Sequence, residues 1–371
     1  MTTITAASAQ WASRPDDQRF LDLESLQASV NSRREMSATQ VLSFQDLSLG
    51  DQDEDIIVSG HNGAPVKLNH YSFGQLCAQA QIGAGELRKL PAAISQVALE
   101  YRLKFGPREE AETKLLYTHT QDGGLGELRS ANGVNYGRIW DSQVVAAVRQ
   151  INADGRWHVP PPFNSKNFTV DKQSTTLYAS DRDVFMFLVD ENRPIEIDGQ
   201  TYFRGFYTWN SEVGERTFGL ASFLYSYVCA NRIIWGARDI EEIRIRHTSM
   251  APDRFAQEAG PALKALSEGS AQPIVDAIKA AKATRIADKP AKVAKWLESK
   301  GIGRLKATVA VALAARGGDT GSSGDPTNLW DVIQGGTALA RDVTHQDERI
   351  ALEKDFSGLL RYAGKPIIID A

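Results

Sequence analysis

Tyr202, Arg204 and Phe206 stand at alternate positions in TYFRGFYTW, residues 201–209. In an extended chain successive side chains point to opposite faces, so these three share one side while Phe203, Tyr207 and Trp209 share the other. Two rings flanking a guanidinium suit binding better than bond breaking. Bases stack on ring faces while the cation meets phosphate, at roughly 1–3 kcal/mol per stacked base. Arg244 and Arg246 share a face in the same way, opposite Ile243 and Ile245. A second cationic set lies downstream: Lys279, Lys282 and Arg285 follow at i+3, and Lys292 and Lys295 repeat that spacing after Pro290. On helices each set forms a stripe that neutralises phosphates without reading bases, with affinity that falls steeply as salt rises. These ten residues are the expected contacts with single-stranded nucleic acid. The bland reading of the same residues is a sheet covered on both sides, with its rings as core, its arginines snorkelling to the edge and its lysines merely solubilising.

Groups for catalysis are sparse. The histidines are His61, His70, His119, His158, His247 and His345, none in a HExxH, HxH or His-plus-Cys arrangement, so no metal site is expected. Asp181-Arg182-Asp183 puts two carboxylates beside a guanidinium. A metal-dependent nuclease can be imagined there, and a strand-end salt bridge is the simpler reading. Gly123-Gly124-Leu125-Gly126 lacks the Lys and Ser/Thr that complete a phosphate loop, and GARDIEEI carries no dinucleotide fingerprint. The chain therefore reads as a non-catalytic binder with no cofactor.

The elements that must position these residues follow from composition and periodicity. With 371 residues and 42% hydrophobic content the chain can bury a large core. Net charge is −4, yet residues 261–317 carry eleven Lys and Arg against four acidic residues, so the basic helices stand out electrically. The start MTTITAASAQW has neither a basic opening nor an apolar run, and no stretch is long enough to span a bilayer; a cytoplasmic setting without a membrane partner is expected. Cys77 and Cys229 fit that setting as small core hydrophobes.

Four regions are expected: an N-terminal arm over 1–60, partly disordered, with one short helix near Phe20 to Val30; an α+β core over 61–250; basic Ala/Lys-rich helices over 251–316; and a linker with a C-terminal helix over 317–371. Two helices fill residues 72–105, broken at Gly83 and Gly85. A strand runs from Val134 to Trp140, a helix from Asp141 or Ser142 to Asp154-Gly155, and a stiff spacer covers Pro160 to Pro162. Strands are expected at Leu177–Ala179, Val184–Val189, Ile195–Ile197, Tyr202–Trp209, Arg216–Cys229, Arg232–Trp235 and Ile240–His247, with a hairpin at Asp198-Gly199. Short connections make neighbours antiparallel. The fold class is therefore α+β, a curved antiparallel sheet with helical N-terminal and C-terminal regions. Two Ala/Lys-rich helices separated at Pro290 come next, then RGGDTGSSGDPTN as a flexible linker, then a last helix or two from Leu329 to Tyr362.

The stretches LYASDRDVFMFLVD, GFYTWNSEVGERTFGLASFLYSYVCANRIIWGA, IRIRHT and NLWDVIQGGTALARDVTHQDERIALEKDFSGLL resemble a widespread domain-of-unknown-function family, number nine-three-two, of phages, prophages and plasmids. The resemblance covers most of residues 70–360. Its most specific marks are Asn210-Ser211-Glu212, Cys229-Ala230-Asn231, Arg246-His247-Thr248 and the terminal helix with Arg349 and Glu353. It implies a mobile-element habitat, where annealing, recombination or DNA maintenance is plausible chemistry, and no residue roles. The β-then-helix order is also distantly similar to phage single-strand-annealing proteins that ring around DNA, which makes a homo-oligomer an expectation. The competing function is a protein-interaction module, structural or counter-defence, whose interface uses the same Tyr, Trp and Arg.

Overall fold

The computed structural model describes residues 14–60, 62, 64–120, 124–160, 169–172, 175–225, 232–235, 243–270, 272–320, 322–341, 343 and 346–367. His61, Gly123, Pro161, Pro162, Cys229, Ala230, Asn231 and His345 lie outside that set, as do residues 1–13.

Two sheets form, where the sequence pointed to one. The smaller is built from β2 (Ser37–Ser43), β3 (Ser48–Gln52), β4 (Asp55–Ser59), β5 (Val66–Leu68), β6 (Glu112–Thr118) and β7 (Gly126–Gly133), in the order β2-β6-β7-β5-β4-β3. All its pairs are antiparallel except β5 with β7. That parallel pair needs a long crossover, which the helices α2 (His70–Gln79), α3 (Ala84–Leu87) and α4 (Ala92–Phe105) supply together with β6. Asn69 fixes the start of α2: its Oδ1 accepts from the Ser72 N–H at 2.7 Å, and the Ser72 hydroxyl accepts from the Asn69 N–H at 3.1 Å. Phe44, Leu47, Val58, Leu76, Leu99, Leu115 and Leu128 meet in the core between these helices and the sheet. Cys77 is buried there, and burial pushes its thiol up to about 11.

The larger sheet holds β1 (Arg19–Phe20), β9 (Leu177–Ala179), β10 (Val184–Ile197), β11 (Gln200–Asn210), β12 (Phe218–Tyr225) and β13 (Arg232–Trp235) in that order. β8 (Trp157–His158) pairs with β10, and β14 (Ile243–Ile245) with β12. Every pair is antiparallel. Asp198 and Gly199 turn the β10–β11 hairpin with φ of +51° and +78°, the left-handed pair that a two-residue turn needs to match strand twist.

Val184, Met186, Leu188 and Phe206 pack on one face against α1 (Leu23–Glu35) and α5 (Asp141–Ile151), with α6 (Ala251–Arg254), a π turn over Phe255–Ala259, and α7 (Gly260–Glu268). Further along that face Ile195, Ile197, Tyr202 and Leu224 meet a C-terminal bundle. The bundle comprises α8 (Gln272–Ala283), α9 (Pro290–Ser299), α10 (Arg304–Arg316), α11 (Leu329–Arg341) and α12 (Gln346–Ser357). The opposite face carries Phe185, Phe187, Phe203, Tyr207 and Phe223, all buried.

The α+β class and the antiparallel strands stand as expected, and several boundaries are corrected. Residues 14–60 are no arm: β1 pairs with β9, β2 with β6, and Leu26, Phe44 and Leu47 are fully buried, because short polar-rich strands can be held by their partners in spite of weak periodicity of their own. Residues 134–140 are not a strand; β7 ends at Gly133 and the chain crosses toward the larger sheet. Regions 251–316 and 317–371 share one core, in which Ile278, Val293 and Ala310 touch the cluster of Trp330, Ile333 and Phe356. The expected linker is docked, with the Ser323 and Asp325 N–H groups donating to the Asp331 carboxylate at 2.9 and 3.0 Å. It belongs to the bundle.

Gly205 and Gly219 are required by neighbouring rings, since a Cβ on Gly205 would overlap Phe223 and one on Gly219 would overlap Trp209. Gly205→Val is expected to lower stability by about 3 kcal/mol through overpacking, seen as a reduced urea midpoint with an unchanged slope.

Candidate functional site

The aromatic part of the expected interface is in the core. Tyr202 is 1% exposed and Phe206 0%. Tyr202 meets Trp330 edge-on at 6.2 Å and donates its hydroxyl to Gln200 Oε1 at 2.6 Å, while Phe206 meets Trp157 edge-on at 4.9 Å. Arg204 is 7% exposed, lies opposite Asp190 in register, and donates to the Gly269 and Ser270 carbonyls. Burial is the first cause that lowers its pKa. The expectation that these three offer a solvent-facing platform is therefore corrected. Alternation told which side chains share a face; it carried no information about the helices that cover that face.

The cations fare differently. Lys279, Arg285, Lys292 and Lys295 are exposed on or beside α8 and α9, and Lys282 is half-buried against Asp198 of the β10–β11 turn at 2.6 Å. Lys292 pairs with Asp288 at 2.9 Å. Arg244 and Arg246 are exposed at β14, with the Arg244 guanidinium 6.0 Å from the Trp209 ring. The structure thus gathers the helical cations on the bundle, leaves Arg244 and Arg246 on another strand, and parts both from the buried rings.

A feature beside those helices was missed in the sequence. Trp296 and Leu297 carbonyls accept from Lys300 N–H, the Leu297 carbonyl also accepts from Ile302 N–H at 3.1 Å, and Gly301 takes φ of +91°, so α9 closes in a left-handed glycine turn. Ile302 plugs the turn at 5% exposure. Gly303 then starts α10 without any side-chain cap, followed by Arg304, Leu305 and Lys306, all exposed, with no acidic residue in the first turn. The signal was present as Gly-Ile-Gly between two Ala/Lys-rich stretches. It was hidden because Pro290 drew the only break, and two helices were expected where three form.

The densest polar chemistry lies where the two sheets meet. Glu212 pairs with Arg129 of β7 at 2.5 Å, both side chains 3% exposed, and its Oε2 accepts from the Asp141 N–H at 3.1 Å. Its backbone carbonyl accepts from Arg138. Asn210 donates to Asp141 Oδ1 and to the Ile139 carbonyl, each at 2.8 Å. Tyr136 donates to the Ser211 carbonyl at 3.0 Å and stacks on His247 at 5.0 Å, whose Nδ1 is 3.1 Å from the Gly137 carbonyl. Beside this group Arg14 holds Asp183 through two contacts of 2.7 and 2.8 Å. Asn210-Ser211-Glu212 and His247 therefore converge on residues 132–141.

Burial, then the charge of Glu212, raises the Asp141 carboxyl well above the usual carboxylate range. Burial also pushes His247 down to about 4, opposed by its hydrogen bond to Gly137. Desolvation lowers Arg138 to about 10. A cleft of about 390 Å³ between α1 and α5 is lined by Gln27, Asn31, Arg34, Ser142 and Arg149. Among the described residues no three His, Cys, Asp or Glu side chains assemble as metal ligands. Asp183 of the Asp181-Arg182-Asp183 triplet is engaged by Arg14, as a bridging role requires. The arrangement ties backbone segments together. No helix among the described residues is long and apolar enough to cross a membrane. No family model, curated protein or solved structure matches the chain.

Two outcomes follow from this geometry. Arg204→Glu is expected to lower stability by about 3 kcal/mol or more, because it sets a buried carboxylate opposite Asp190 and two carbonyls; a melting temperature equal to wild type contradicts the burial. For Asp141 the folded pKa lies above the unfolded one, so the native state holds an extra proton between them and stability declines as pH rises through that window. Denaturant unfolding across pH should show this decline in wild type and a flatter profile in Asp141→Asn, whereas Glu212→Gln loses about 3–5 kcal/mol by stranding Arg129.

Proposed function

We propose that the protein binds nucleic acid through its phosphate backbone, on the cationic outer surface of the α8–α10 helices, without stacking bases on the sheet. The observation that carries this reading is the α9–α10 hairpin, where uncapped amides at the start of α10 stand among cations. Between Lys279 and Lys306 there are nine Lys and Arg against two acidic residues. Free N–H groups at a helix start and nearby ammonium and guanidinium groups favour the same ligand, a phosphodiester oxygen. Leu305, 78% exposed between Arg304 and Lys306, adds an apolar contact for a sugar edge.

Recognition of this kind is indifferent to base sequence and depends on counterion release. Single strands and duplexes both present phosphates, so the choice between them rests on spacing along the hairpin. The phage or plasmid habitat implied by the sequence resemblance is part of this proposal, and a role in annealing or DNA maintenance is its biological form. Protein interaction is a second reading, favoured by a bare apolar face on α4.

Fluorescence anisotropy with labelled single-stranded and duplex oligonucleotides, at about 50 and 200 mM salt, tests the proposal. Affinity should fall at least tenfold between the two salt concentrations. Lys295→Glu combined with Arg304→Glu should weaken binding by a further tenfold or more at the lower salt, with an unchanged melting temperature. Absence of salt-sensitive binding to either oligonucleotide, or a double variant that binds as wild type does, removes the proposed surface.

A further inference from the structure

The geometry points to a homodimer interface on the outer face of α4, in which this helix lies antiparallel against α4 of a second copy. This inference is independent of the nucleic-acid reading. Helix α4 is apolar on two opposite sides. Ser95, Leu99 and Leu103 face inward and are buried over β3 and β4, while Ile94, Val97, Tyr101 and Phe105 face outward at 54, 57, 62 and 66% exposure. Leu90, in the turn before the helix, continues the outer row at 44%. A helix that is apolar on both sides belongs inside a larger structure, and among the described residues this one packs on one side only.

The spacing of the outer row identifies what fits it. Positions 90, 94, 97, 101 and 105 advance by four, three, four and four, a seam that keeps to one side of a helix and packs into a matching seam. Tyr101 and Phe105 already pack together, ring centroids 5.3 Å apart, as a preformed ridge. At about 200 Å² for a large apolar side chain, these exposures leave roughly 600 Å² bare, at the upper end of the largest patch an ordinary monomer shows, a size that is often functional. Two such faces together cover roughly 1,200 Å², the lower bound for a stable protein interface. A second copy supplies an equal area of identical spacing.

Charge selects the antiparallel arrangement. The segment leading into α4 carries exposed Arg88 and Lys89, with Lys89 also paired to Glu86 at 2.8 Å, and the segment leaving it carries exposed Glu109, Glu110 and Glu112 beside Arg108, after Arg102 and a Lys104 already paired to Glu100 in the last turn. Parallel helices would place like ends together. Antiparallel helices place the basic entry of each against the acidic exit of the other. With Val97 next to the two-fold axis, Ile94 meets Tyr101 of the second copy and Leu90 meets its Phe105, so all five apolar positions are used. The same acidic exit makes an anionic lipid surface a poor occupant.

Light scattering on the full chain over about a hundredfold range in concentration tests the inference. The mass should rise to twice the single-chain 40.7 kDa, and Ile94→Glu with Tyr101→Glu should hold it at the single-chain value while circular dichroism and melting temperature stay unchanged. Val97→Cys should cross-link across the axis under mild oxidation. Lys89→Glu should weaken the dimer several-fold, and adding Glu109→Lys and Glu110→Lys should restore it. A single-chain mass at every concentration, or a dimer that survives the double glutamate variant, overturns the interface; a dimer in which Val97→Cys fails to cross-link overturns its register.

Discussion

The Glu212 carboxylate meets the Arg129 guanidinium where water scarcely reaches, and the two sheets are joined around that pair. Neither charge can be buried alone, because desolvation exceeds what unpaired dipoles return. Arg129 comes from β7 of the smaller sheet and Glu212 from the turn that follows β11 in the larger, so the ion pair forms only when both sheets are in place. The segment over residues 132–141 is then fixed at its exit by Asp141 N–H on Glu212 and along its length by Arg138, Tyr136 and Gly137. Local hydrophobic burial builds each half, and this polar contact sets how the halves fit.

A second constraint is geometrical. The larger sheet is apolar on both faces, so helices must cover it, and the C-terminal bundle settles over Tyr202 and Leu224. Once that happens the rings contribute core packing, through edge-on contacts with Trp330 and Trp157. On the proposed nucleic-acid reading, the surface left to a polyanion is the outer side of the helices, which carries cations and helix-start amides. On that reading recognition shifts from bases to phosphate. Salt dependence and indifference to sequence are consequences of that shift.

Much of the fold was legible. Leu177–Ala179 and Arg232–Trp235 have the boundaries that alternation assigns, and Asp198-Gly199 turns a hairpin because only left-handed backbone fits there. The break between α8 and α9 falls before Pro290, which supplies the first helical position of α9, where its missing N–H does no harm. Residues 37–59 were illegible because Ser, Gln and Asp dilute the apolar pattern of β2 and β3, although Leu42, Phe44, Leu47, Leu49, Ile56 and Val58 all enter the core. The 132–141 segment misled for the opposite reason: Val134, Tyr136 and Arg138 alternate as a strand does, yet Tyr136 and Arg138 are spent on Ser211 and Glu212.

By itself the sequence determined which residues share a face, where the chain turns, where positive charge accumulates and that catalytic groups are scarce, since each of these is a property of near neighbours along the chain. Only the tertiary structure decided which faces see water. Tyr202, Arg204 and Phe206 were correctly placed on one side of a strand and still lie in the core, because covering a sheet depends on helices tens of residues away in sequence. For the same reason the outer row of α4, which reads in sequence like any core-facing stripe, is bare in the folded chain.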